Sequence, residues 1–342
     1  MSNLRDAFEQ ALRGRSLDAA AAENALGEVL DDVSPDVLVA GFLIALKMKG
    51  ETAAELAGGA RALLKRARPL DLGADLLDTA GTGGDGAGTY NISTAAALVA
   101  AAAGVRVAKH GNRAVSGRVG AADALERFGV RIDLDPDGLA RCVARAGCCF
   151  VFAPAYHPAL ARLAVLRRTL GVRTVFNLIA PLANPARPRR QLLGVSEARL
   201  LRPMAEALVA LGAEHAMVIH GGDGLDEISL GAPTRVIEAR RGDLREYEIA
   251  PDSFGLKAAS AADFLTADSV EAAALLARTL AGEPGAAQDI LALNAGAAIY
   301  VGGAAATLAE GVAAARAILV SGRAFATLEK LRDASNAGAA DA

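Results

Sequence analysis

The chain of 342 residues has no tryptophan, few aromatic residues (4%) and only three cysteines. Cys142, Cys148 and Cys149 contain no C-x-x-C pair and have no histidine at zinc-site spacing. Neither a disulfide framework nor a zinc site is therefore indicated, and buried thiols in a reducing compartment are the simpler interpretation. The expected location is the cytoplasm.

An excess of positive charge and a long apolar segment are also missing. The formal net charge is −3, so general electrostatic binding to nucleic acid or to an anionic membrane is not expected. The strongest early apolar run, Val37 to Leu46, is too short to span a bilayer. We therefore expect no nucleic-acid partner and no membrane partner.

The hydrophobic content of 53% is ample for a core, and the length suits two unequal units. Residues 1–72 have helical periodicity, with start signals at Ser16, Ser34-Pro35 and Thr52, which predicts a small helical N-terminal domain. Over residues 73–335 short β-rich runs alternate with helices, which predicts a larger α/β domain with a central sheet flanked by helices. The predicted strands are 76–78, 105–108, 149–152, 174–177 and 216–220. Residues 336–342 are expected to fray.

The most informative segment is a glycine-dense loop, residues 81–94, with the sequence GTGGDGAGTYNIST. Glycines accept positive φ and turn N–H groups toward an anion, and a helix start after them adds donors and a favourable dipole. Asp85 would be repelled by bare phosphate, so it suits sugar hydroxyls or water on a metal ion. Asn91, Ser93 and Thr94 suit capping, phosphate contact or a hydroxyl ligand to Mg²⁺. The loop predicts a site for a phosphorylated sugar with magnesium.

Two known nucleotide loops fit this segment poorly. Gly81, Gly83 and Gly86 satisfy the dinucleotide fingerprint G-x-G-x-x-G, but a basic strip, residues 105–110, stands where the fingerprint needs an acidic residue. A Walker loop fails because no Gly-Lys-Ser or Gly-Lys-Thr follows. An ordinary glycine-rich turn is the third alternative, disfavoured because so many glycines are entropically costly to order without a ligand.

A second glycine-punctuated loop, KHGNRAVSGRVG, covers residues 109–120. Lys109 offers a point charge and Asn112 a neutral polar group, so this loop is expected to close over the same anion. The alternative for Lys109 and Arg113 is solvated surface charge. His110 is equally compatible with a structural hydrogen bond, and its role stays open at this point.

Two further groups of charged residues need consideration. Arg167 precedes the predicted strand 174–177 and offers a planar fork to a carboxylate, although an exposed helical arginine is the commoner interpretation. The segment DGLDE at 223–227 ends in adjacent carboxylates, Asp226 and Glu227, which suit Mg²⁺. Its alternative is a hairpin turn at Asp223-Gly224 with both acids in water.

In this order the motifs resemble those of the anthranilate phosphoribosyltransferases, the tryptophan-pathway members of the class IV phosphoribosyltransferases. The resemblance runs nearly end to end. It is carried by GTGGDGAGTYNIST at 81–94, KHGNRAVSG at 109–117, HPALARLAVLRRTLGVRTVFN at 157–177, NPARPRRQLLGV at 184–195, DGLDE at 223–227, FGL at 254–256 and LNA at 293–295.

This resemblance implies a helical domain, joined by helices from about 160–190, on a larger α/β domain, with a homodimer formed through the helical domain. The implied reaction is transfer of the phosphoribosyl group of phosphoribosyl pyrophosphate to the amino nitrogen of anthranilate, with release of pyrophosphate and with two Mg²⁺ ions as cofactors. No residue is assigned as a covalent catalyst or general base.

The resemblance also implies the site residues. The contacts to phosphoribosyl pyrophosphate are Gly81, Gly84, Asp85, Thr89, Asn91, Ile92, Ser93, Thr94, Lys109, His110, Gly111, Asn112, Arg113, Ala114, Val115, Ser116, Gly117 and Ala121. The contacts to anthranilate are Gly81, Asn112 and Arg167. The metal ligands are Ser93 with Glu227 for one Mg²⁺, and Asp226 with Glu227 for the second.

Ala121 and Val119 depart from the family pattern, since many relatives have serines at these two positions, the one at Ala121 contacting the sugar phosphate. Two alternative functions share parts of the pattern. A nucleoside phosphorylase of the same architecture would gain nothing from Asp226 and Glu227. A noncatalytic nucleic-acid-binding relative would be expected to carry a basic patch, which the sequence lacks. Magnesium dependence separates the transferase from the phosphorylase.

Overall fold

The computed structural model describes residues 2–113 and 120–338. The N-terminal part is a helical bundle, as the sequence predicts. Ser2, Asp18 and Thr52 each accept a hydrogen bond from an amide in the first turn of the helix that follows, and Glu55 completes a capping box with Thr52. The helices are α1 (Asn3–Leu12), α2 (Ala19–Leu30), α3 (Asp36–Lys49) and α4 (Ala53–Lys65).

The remainder of the chain builds a seven-stranded mixed sheet in the order β3-β2-β1-β4-β5-β6-β7. The first five strands in this order pair in parallel. At one edge, β6 pairs antiparallel with β5, and β7 pairs antiparallel with β6. The strands are β1 (Leu76–Gly81), β2 (Arg106–Gly111), β3 (Cys148–Phe152), β4 (Arg190–Gly194), β5 (His215–Gly221), β6 (Thr234–Arg240) and β7 (Asp243–Ile249).

Helices cover both faces of the sheet. Those between β1 and β3 are α5 (Ile92–Ala102), α6 (Ala121–Arg127) and α7 (Pro136–Ala146). Four short helices lead from β3 toward β4: α8 (Ala153–Tyr156), α9 (Pro158–Arg162), α10 (Ala164–Leu170) and α11 (Val175–Ile179). The later helices are α12 (Leu201–Ala210), α13 (Ser269–Leu280), α14 (Ala286–Val301), α15 (Leu308–Val320) and α16 (Arg323–Asn336).

The strands divide their side chains between two hydrophobic cores. In β4, Leu192 faces the core formed with α5, α7 and α14, whereas Leu193 faces a second core that contains α12 and the whole N-terminal bundle. Met217 and Val218 of β5 alternate in the same way. The bundle therefore shares a continuous core with one face of the sheet.

The chain order creates a switch point between β1 and β4. From β1 the chain moves to β2 and β3 on one side, and then returns through α8–α11 to add β4 on the other side. Gly81 and Gly194, the last residues of these strands, are opposite each other in the register. Ligands of open α/β sheets bind in the crevice outside the carboxyl ends of the strands at such a point.

The structure corrects several local predictions. Residues 174–177 are not a strand: the Thr174 amide donates to Oδ1 of Asn177 at 3.0 Å, and Val175 begins helix α11. The start signal at Ser16 is wrong by two residues, because Asp18 caps α2. Helix α16 extends through Asn336, whose amide donates to the Gly129 carbonyl, so the predicted fraying does not begin there.

Strands β1, β2, β3 and β5 confirm the other four predicted runs to within a few residues, and β4, β6 and β7 were missed. Within 2–113 and 120–338, no single helix is long and apolar enough to cross a bilayer. Only α15 and α16 taken together meet that criterion, with a bend of 74° between them.

Strand β6 contains a buried glutamate, Glu238, which lies beside His215 at the start of β5 and so away from the switch point. Its carboxylate lies 2.7 Å from Nε2 of His215 and accepts hydrogen bonds from the hydroxyls of Tyr300 at 2.8 Å and Tyr247 at 2.9 Å. Burial alone would raise its pKa, but these hydrogen bonds outweigh burial and lower the pKa to about 2. The ionised carboxylate thus stabilises the fold.

We expect this carboxylate to contribute to acid stability. Because the folded-state pKa lies below the ordinary value of 4.5, the contribution is complete above that pH and is lost as the pH falls toward 2. The shift corresponds to about 3 kcal/mol in the free energy of unfolding. Glu238→Gln should therefore flatten the pH dependence of urea unfolding between pH 2 and 5.

The matched control is Glu246→Gln, an exposed glutamate on the neighbouring strand β7 that pairs with Arg235 and Arg202. Solvent screens such surface pairs, so this variant should unfold much like the parent protein at each pH. Equal pH slopes for the parent protein and Glu238→Gln would contradict the assigned role.

Candidate functional site

The glycine loop lies at the switch point, between the end of β1 and the start of α5. Gly83, Gly84, Gly86 and Gly88 all have positive φ. The loop is anchored at its far end by Tyr90, a fully buried residue whose hydroxyl donates to the Ala287 carbonyl at 2.5 Å. The predicted loop geometry is confirmed in its φ angles.

A neighbouring segment of the chain packs against this loop. Thr89 forms an antiparallel bridge with Leu265, and the amide of Thr266 donates to the Gly88 carbonyl at 3.1 Å. The loop therefore has backbone support on the side away from the sheet.

The first turn of α5 offers donors and hydroxyls rather than a capped end. Asn91 takes a left-handed conformation, φ 63°, and gives no side-chain cap to the helix. The Thr94 hydroxyl is buried and has no hydrogen-bond partner among the described residues. Ile92 is fully buried, so its contribution to a ligand would come through its backbone. An unsatisfied hydroxyl at a helix start without a side-chain cap suits a phosphate.

Lys109, near the end of β2, is buried beneath this turn. Its ammonium donates to the Thr79 carbonyl and to the Ser93 hydroxyl, 3.2 Å away. Burial lowers the pKa of Lys109, opposed by the nearby carboxylates of Asp78 and Glu227. The surface-charge interpretation of Lys109 is therefore wrong, since the residue is only 4% exposed.

Asp78 organises the base of the site from within the sheet. Burial raises its pKa to about 6, although Lys109 acts in the opposite sense. It accepts hydrogen bonds from the amide of His110 and from the side chain of Asn184, each at 3.0 Å. Because Asn184 also donates to the Ala108 carbonyl, it ties β1, β2 and the segment before β4 together.

The carboxyl groups of Asp85, Asp226 and Glu227 lie close to one another. Burial and the neighbouring Asp85 raise the pKa of Asp226 to about 7, and burial and Asp226 raise the pKa of Glu227 well above its usual range. Asp226 also accepts a hydrogen bond from the Gly83 amide at 2.8 Å. The alternative of a turn with both acids in water is wrong, since Glu227 is only 9% exposed.

The close approach of the 223–227 segment depends on two strand-ending glycines. A Cβ on Gly194 would lie 1.6 Å from the carbonyl oxygen of Asp226, and one on Gly81 would lie 2.5 Å from its Oδ2. Any side chain at Gly194 would therefore push Asp226 away from the crevice. This is a physical reason for glycine at both strand ends.

The donor set fits magnesium in chemical type. Carboxylate and hydroxyl oxygens are hard ligands, and a divalent cation would relieve the repulsion that raises the pKa of Asp226. Within the described part of the chain, no group of three or more His, Cys, Asp or Glu side chains is arranged to hold a metal ion. Mg²⁺ here would therefore take one or two protein ligands and complete its shell with substrate phosphate and water.

Of the second glycine-punctuated loop, residues 109–120, the structure describes residues 109–113 and Gly120. Asn112 is exposed, and its Oδ1 accepts from the Arg113 amide at 2.7 Å. The Arg113 guanidinium pairs with Glu126 and Asp123 of α6, so in this state its side chain is engaged at the loop edge. Gly111 ends β2 and Ala121 begins α6. The predicted contacts at Ala114, Val115, Ser116 and Gly117 lie outside the described residues.

Residues 157–177 contact the glycine loop, residues 81–94, and the second loop, residues 109–120. At one end, the rings of His157 and His110 meet edge to face with centroids 5.2 Å apart. Burial, with His157 nearby, lowers the pKa of His110 to about 3, so its imidazole is neutral. At the other end, Arg173 donates to the carbonyls of Thr82, at 2.7 Å, and Gly83.

Arg167 lies between these two contacts, in α10. It is not followed by a strand, as the sequence predicted, but by α11. Burial lowers its pKa, and its guanidinium has no hydrogen-bond or ion-pair partner within 2–113 and 120–338. A partly desolvated arginine without a partner suits an anion such as a carboxylate.

Sequence reasoning missed Arg173, Asp78 and Asn184. Arg173 and Asn184 stand in segments that carry the resemblance, but nothing in their local pattern distinguishes them from surface residues. Their contacts join residues 90 and 106 positions apart, which no local signal reveals.

Comparisons with known proteins agree with this geometry. Residues 73–325 match the model of the glycosyl transferase family, a/b domain, and residues 5–67 match that of the glycosyl transferase family, helical bundle domain. The anthranilate phosphoribosyltransferase of Rubrobacter xylanophilus is 47% identical, over 96% of each chain. That of Clostridium kluyveri is 44% identical, over 97% of this chain and all of the relative.

Solved structures give the same result. The crystal structure of anthranilate phosphoribosyltransferase from Thermus thermophilus superposes with a TM-score of 0.91 at 44% identity, over 97% of this chain and 100% of that one. The Saccharomyces cerevisiae enzyme in complex with phosphoribosyl pyrophosphate and Mg superposes with a TM-score of 0.86 at 26% identity, over 97% and 98%. Since the matches are nearly complete in both directions, the chain belongs to the anthranilate phosphoribosyltransferase family.

Proposed function

We propose that the chain catalyses magnesium-dependent transfer of the phosphoribosyl group of phosphoribosyl pyrophosphate to the amino nitrogen of anthranilate, in tryptophan biosynthesis. The observation that carries the proposal is the meeting, at one switch point, of an uncapped helix start, a buried lysine and two adjacent acidic residues, of which Glu227 is buried. Anionic phosphates and a divalent cation satisfy all three at once.

The phosphoribosyl donor would lie over the glycine loop. The amides at Gly81, Gly84 and the first turn of α5 supply hydrogen bonds to phosphate oxygens, and the unsatisfied Thr94 hydroxyl adds another donor. The Lys109 ammonium has three N–H donors, of which the described residues accept two. Asp85 and Thr89 would contact the ribose hydroxyls, and residues 109–117 with Ala121 would cover the other side.

We assign two magnesium sites to this arrangement. Ser93 and Glu227 would hold one ion, and Asp226 with Glu227 the second. When bound, Mg²⁺ neutralises charge on the departing pyrophosphate. The protein's own part is to hold the carboxylates at that place, with the Gly83 amide fixing Asp226 and the Ser93 amide acting on Glu227.

The anthranilate carboxylate would pair with Arg167, with Gly81 and Asn112 beside it. The amino nitrogen of an aniline is neutral at pH 7, so it attacks C1 as the bond to pyrophosphate breaks, with inversion and without a strong base. Positioning of the two substrates and stabilisation of the leaving group then account for the rate. The neutral imidazole of His110 adds no charge to the donor site.

The same contacts weigh against the two alternatives. A nucleoside phosphorylase has no use for two buried acidic side chains that repel each other, and Asp226 and Glu227 are such a pair. A nucleic-acid-binding relative would need a basic surface, and the net charge is −3. The free, buried cysteines fit a reducing, cytoplasmic location.

The first test is direct. With anthranilate, phosphoribosyl pyrophosphate and Mg²⁺, the protein should consume anthranilate, followed by loss of its fluorescence, and chelation of the metal should stop the reaction. Asp226→Asn combined with Glu227→Gln should lower kcat by more than about 100-fold, because metal-held charge stabilisation amounts to several kcal/mol.

The control for that double variant is Glu248→Gln with Asp252→Asn, which removes the same charge from exposed positions. It should retain parental activity. A folded parent protein that leaves anthranilate unchanged would reject the proposed function.

Arg167→Ala should weaken the use of anthranilate. Loss of a charge-assisted pair corresponds to about 1.5–3 kcal/mol, so kcat/KM for anthranilate should fall roughly 10- to 100-fold. The KM for phosphoribosyl pyrophosphate should change little. Arg168→Ala, at the exposed neighbouring position of the same helix, is the matched control. Equal losses in the two variants would remove Arg167 from the site.

We also propose a homodimer formed through the helical domain. Helices α1 and α3 border a groove of about 620 Å³, and apolar residues at its rim are exposed, with Leu12 64% and Met48 81% accessible. A second copy that places the same face against it would cover these side chains.

The dimer can be tested with one charge. Met48→Glu should shift the protein from dimer to monomer in sedimentation equilibrium, because it places a carboxylate in the apolar contact. Val320→Glu, at an apolar position on α15 that is 75% exposed, is the control and should leave the mass unchanged. A monomeric parent protein would contradict the proposal.

A further inference from the structure

Helix α14 contains none of the predicted ligand residues. Hydrogen bonds nevertheless join it to the glycine loop and to the residue that follows Glu227. The Ala287 carbonyl accepts from Tyr90, the residue just before Asn91 at the start of α5. Two turns later, Asn294 holds the residue just after Glu227.

The Asn294 contact is unusually complete. Its Oδ1 accepts from the Ile228 amide at 2.8 Å, and its Nδ2 donates to the Ile228 carbonyl at 2.9 Å, so one side chain satisfies both backbone groups of that residue. Nδ2 also donates to the Ile290 carbonyl within α14, at 2.9 Å, which fixes the side chain. Asn294 and Ile228 are both fully buried. Removal of the side chain would therefore leave buried backbone groups without a partner.

The spacing along α14 matters. Positions 287 and 294 are seven residues apart, which is close to two turns, so both contacts lie on one face about 10 Å apart along the axis. A helix buried on nearly all sides does not stretch or bend easily. Ala286–Val301 packs against α5 and α15, and Gly296 meets Val312 of α15 so closely that a Cβ would lie 2.6 Å from its Cα.

We propose that Asn294 and Tyr90 are positioning residues, and that α14 is a rigid spacer setting the distance between the phosphate-binding start of α5 and the metal carboxylates. Neither residue touches substrate. The inference rests on the proposed function, in which Ser93 and Glu227 share a metal ion and must be held at a fixed separation. The bonds between Asn294 and Ile228 fix the position of Glu227. The bond between Tyr90 and Ala287 fixes the position of Ser93.

The test compares Asn294→Ala with Ser335→Ala. The control removes the buried hydroxyl of Ser335, which accepts a hydrogen bond from the Arg131 amide at 3.0 Å. Neither residue is assigned to a ligand. Both variants should melt below the parent protein. Only Asn294→Ala should raise the Mg²⁺ concentration for half-maximal activity, by about tenfold or more, and lower kcat, with KM for anthranilate within about twofold.

A second measurement does not depend on turnover. Mg²⁺ with phosphoribosyl pyrophosphate should raise the melting temperature of the parent protein and of Ser335→Ala, and should raise that of Asn294→Ala much less. If the parent protein binds these ligands but does not consume anthranilate, the proposed reaction fails while the inference on Asn294 is still decided. Identical Mg²⁺ responses in all three proteins would overturn the inference.

Tyr90→Phe provides the test if Asn294→Ala does not fold, since it removes one oxygen and keeps the ring in the core. We expect a rise of about threefold or more in both the half-maximal Mg²⁺ concentration and KM for phosphoribosyl pyrophosphate. Where both variants fold, the double variant should lose less than the product of the single losses, because the loss of either bond already releases the same distance. Parental constants for Tyr90→Phe would refute the spacer.

Discussion

The site depends on the burial of like charges. Asp226 and Glu227 lie inside the protein beside Asp85, and the buried ammonium of Lys109 is set against them. A cluster of this kind is costly in isolation and becomes favourable when divalent cations arrive together with an anionic substrate. Under the proposed function, the pyrophosphate donor and magnesium would act as one ligand, and the fold would hold three acids where that ligand needs them.

The scaffold divides this work between parallel strands and the helices that return from β3 to β4. The strand ends bring the glycine loop and the acidic segment together at one edge, and Gly194 permits the contact. The returning helices bring arginines from the side of the helical bundle: Arg173 binds the backbone of the glycine loop, and Arg167 stays unpaired within the described residues. The proposed donor site and acceptor site would thus be built by different layers, which Arg173 joins.

Local chemistry in the sequence identifies the segments that the structure brings together at the switch point. Glycines before a helix start indicate a phosphate site, and Asp226-Glu227 after an apolar strand indicate a cation site, because these signals need only neighbouring residues. Residues 174–177 were misassigned since β-branched residues were given more weight than the bond between the Thr174 amide and the Asn177 side chain at the start of α11. Strand β7 was missed because it is largely exposed and carries charged residues on both faces.

What sequence reasoning could not reach is the support behind the loops. Asp78, Asn184 and Asn294 act through hydrogen bonds to the backbone of distant residues, and such partners exist only once the sheet is formed. Their residue types are ordinary, and their burial is a property of the tertiary structure. The candidate ligands could be proposed from motifs, whereas the residues that hold those segments in place are visible only in the three-dimensional structure.

The bond between Tyr90 and Ala287 joins positions 197 residues apart. On the ribosome the glycine loop emerges long before the helix that anchors it, so the parallel strands can pair while the loop still has no support from behind. The bond that anchors the loop can form only near the end of synthesis, when α14 docks. A chain that stops before residue 286 would retain every residue assigned to a ligand and would still lack the helix that holds the two loops at their working separation.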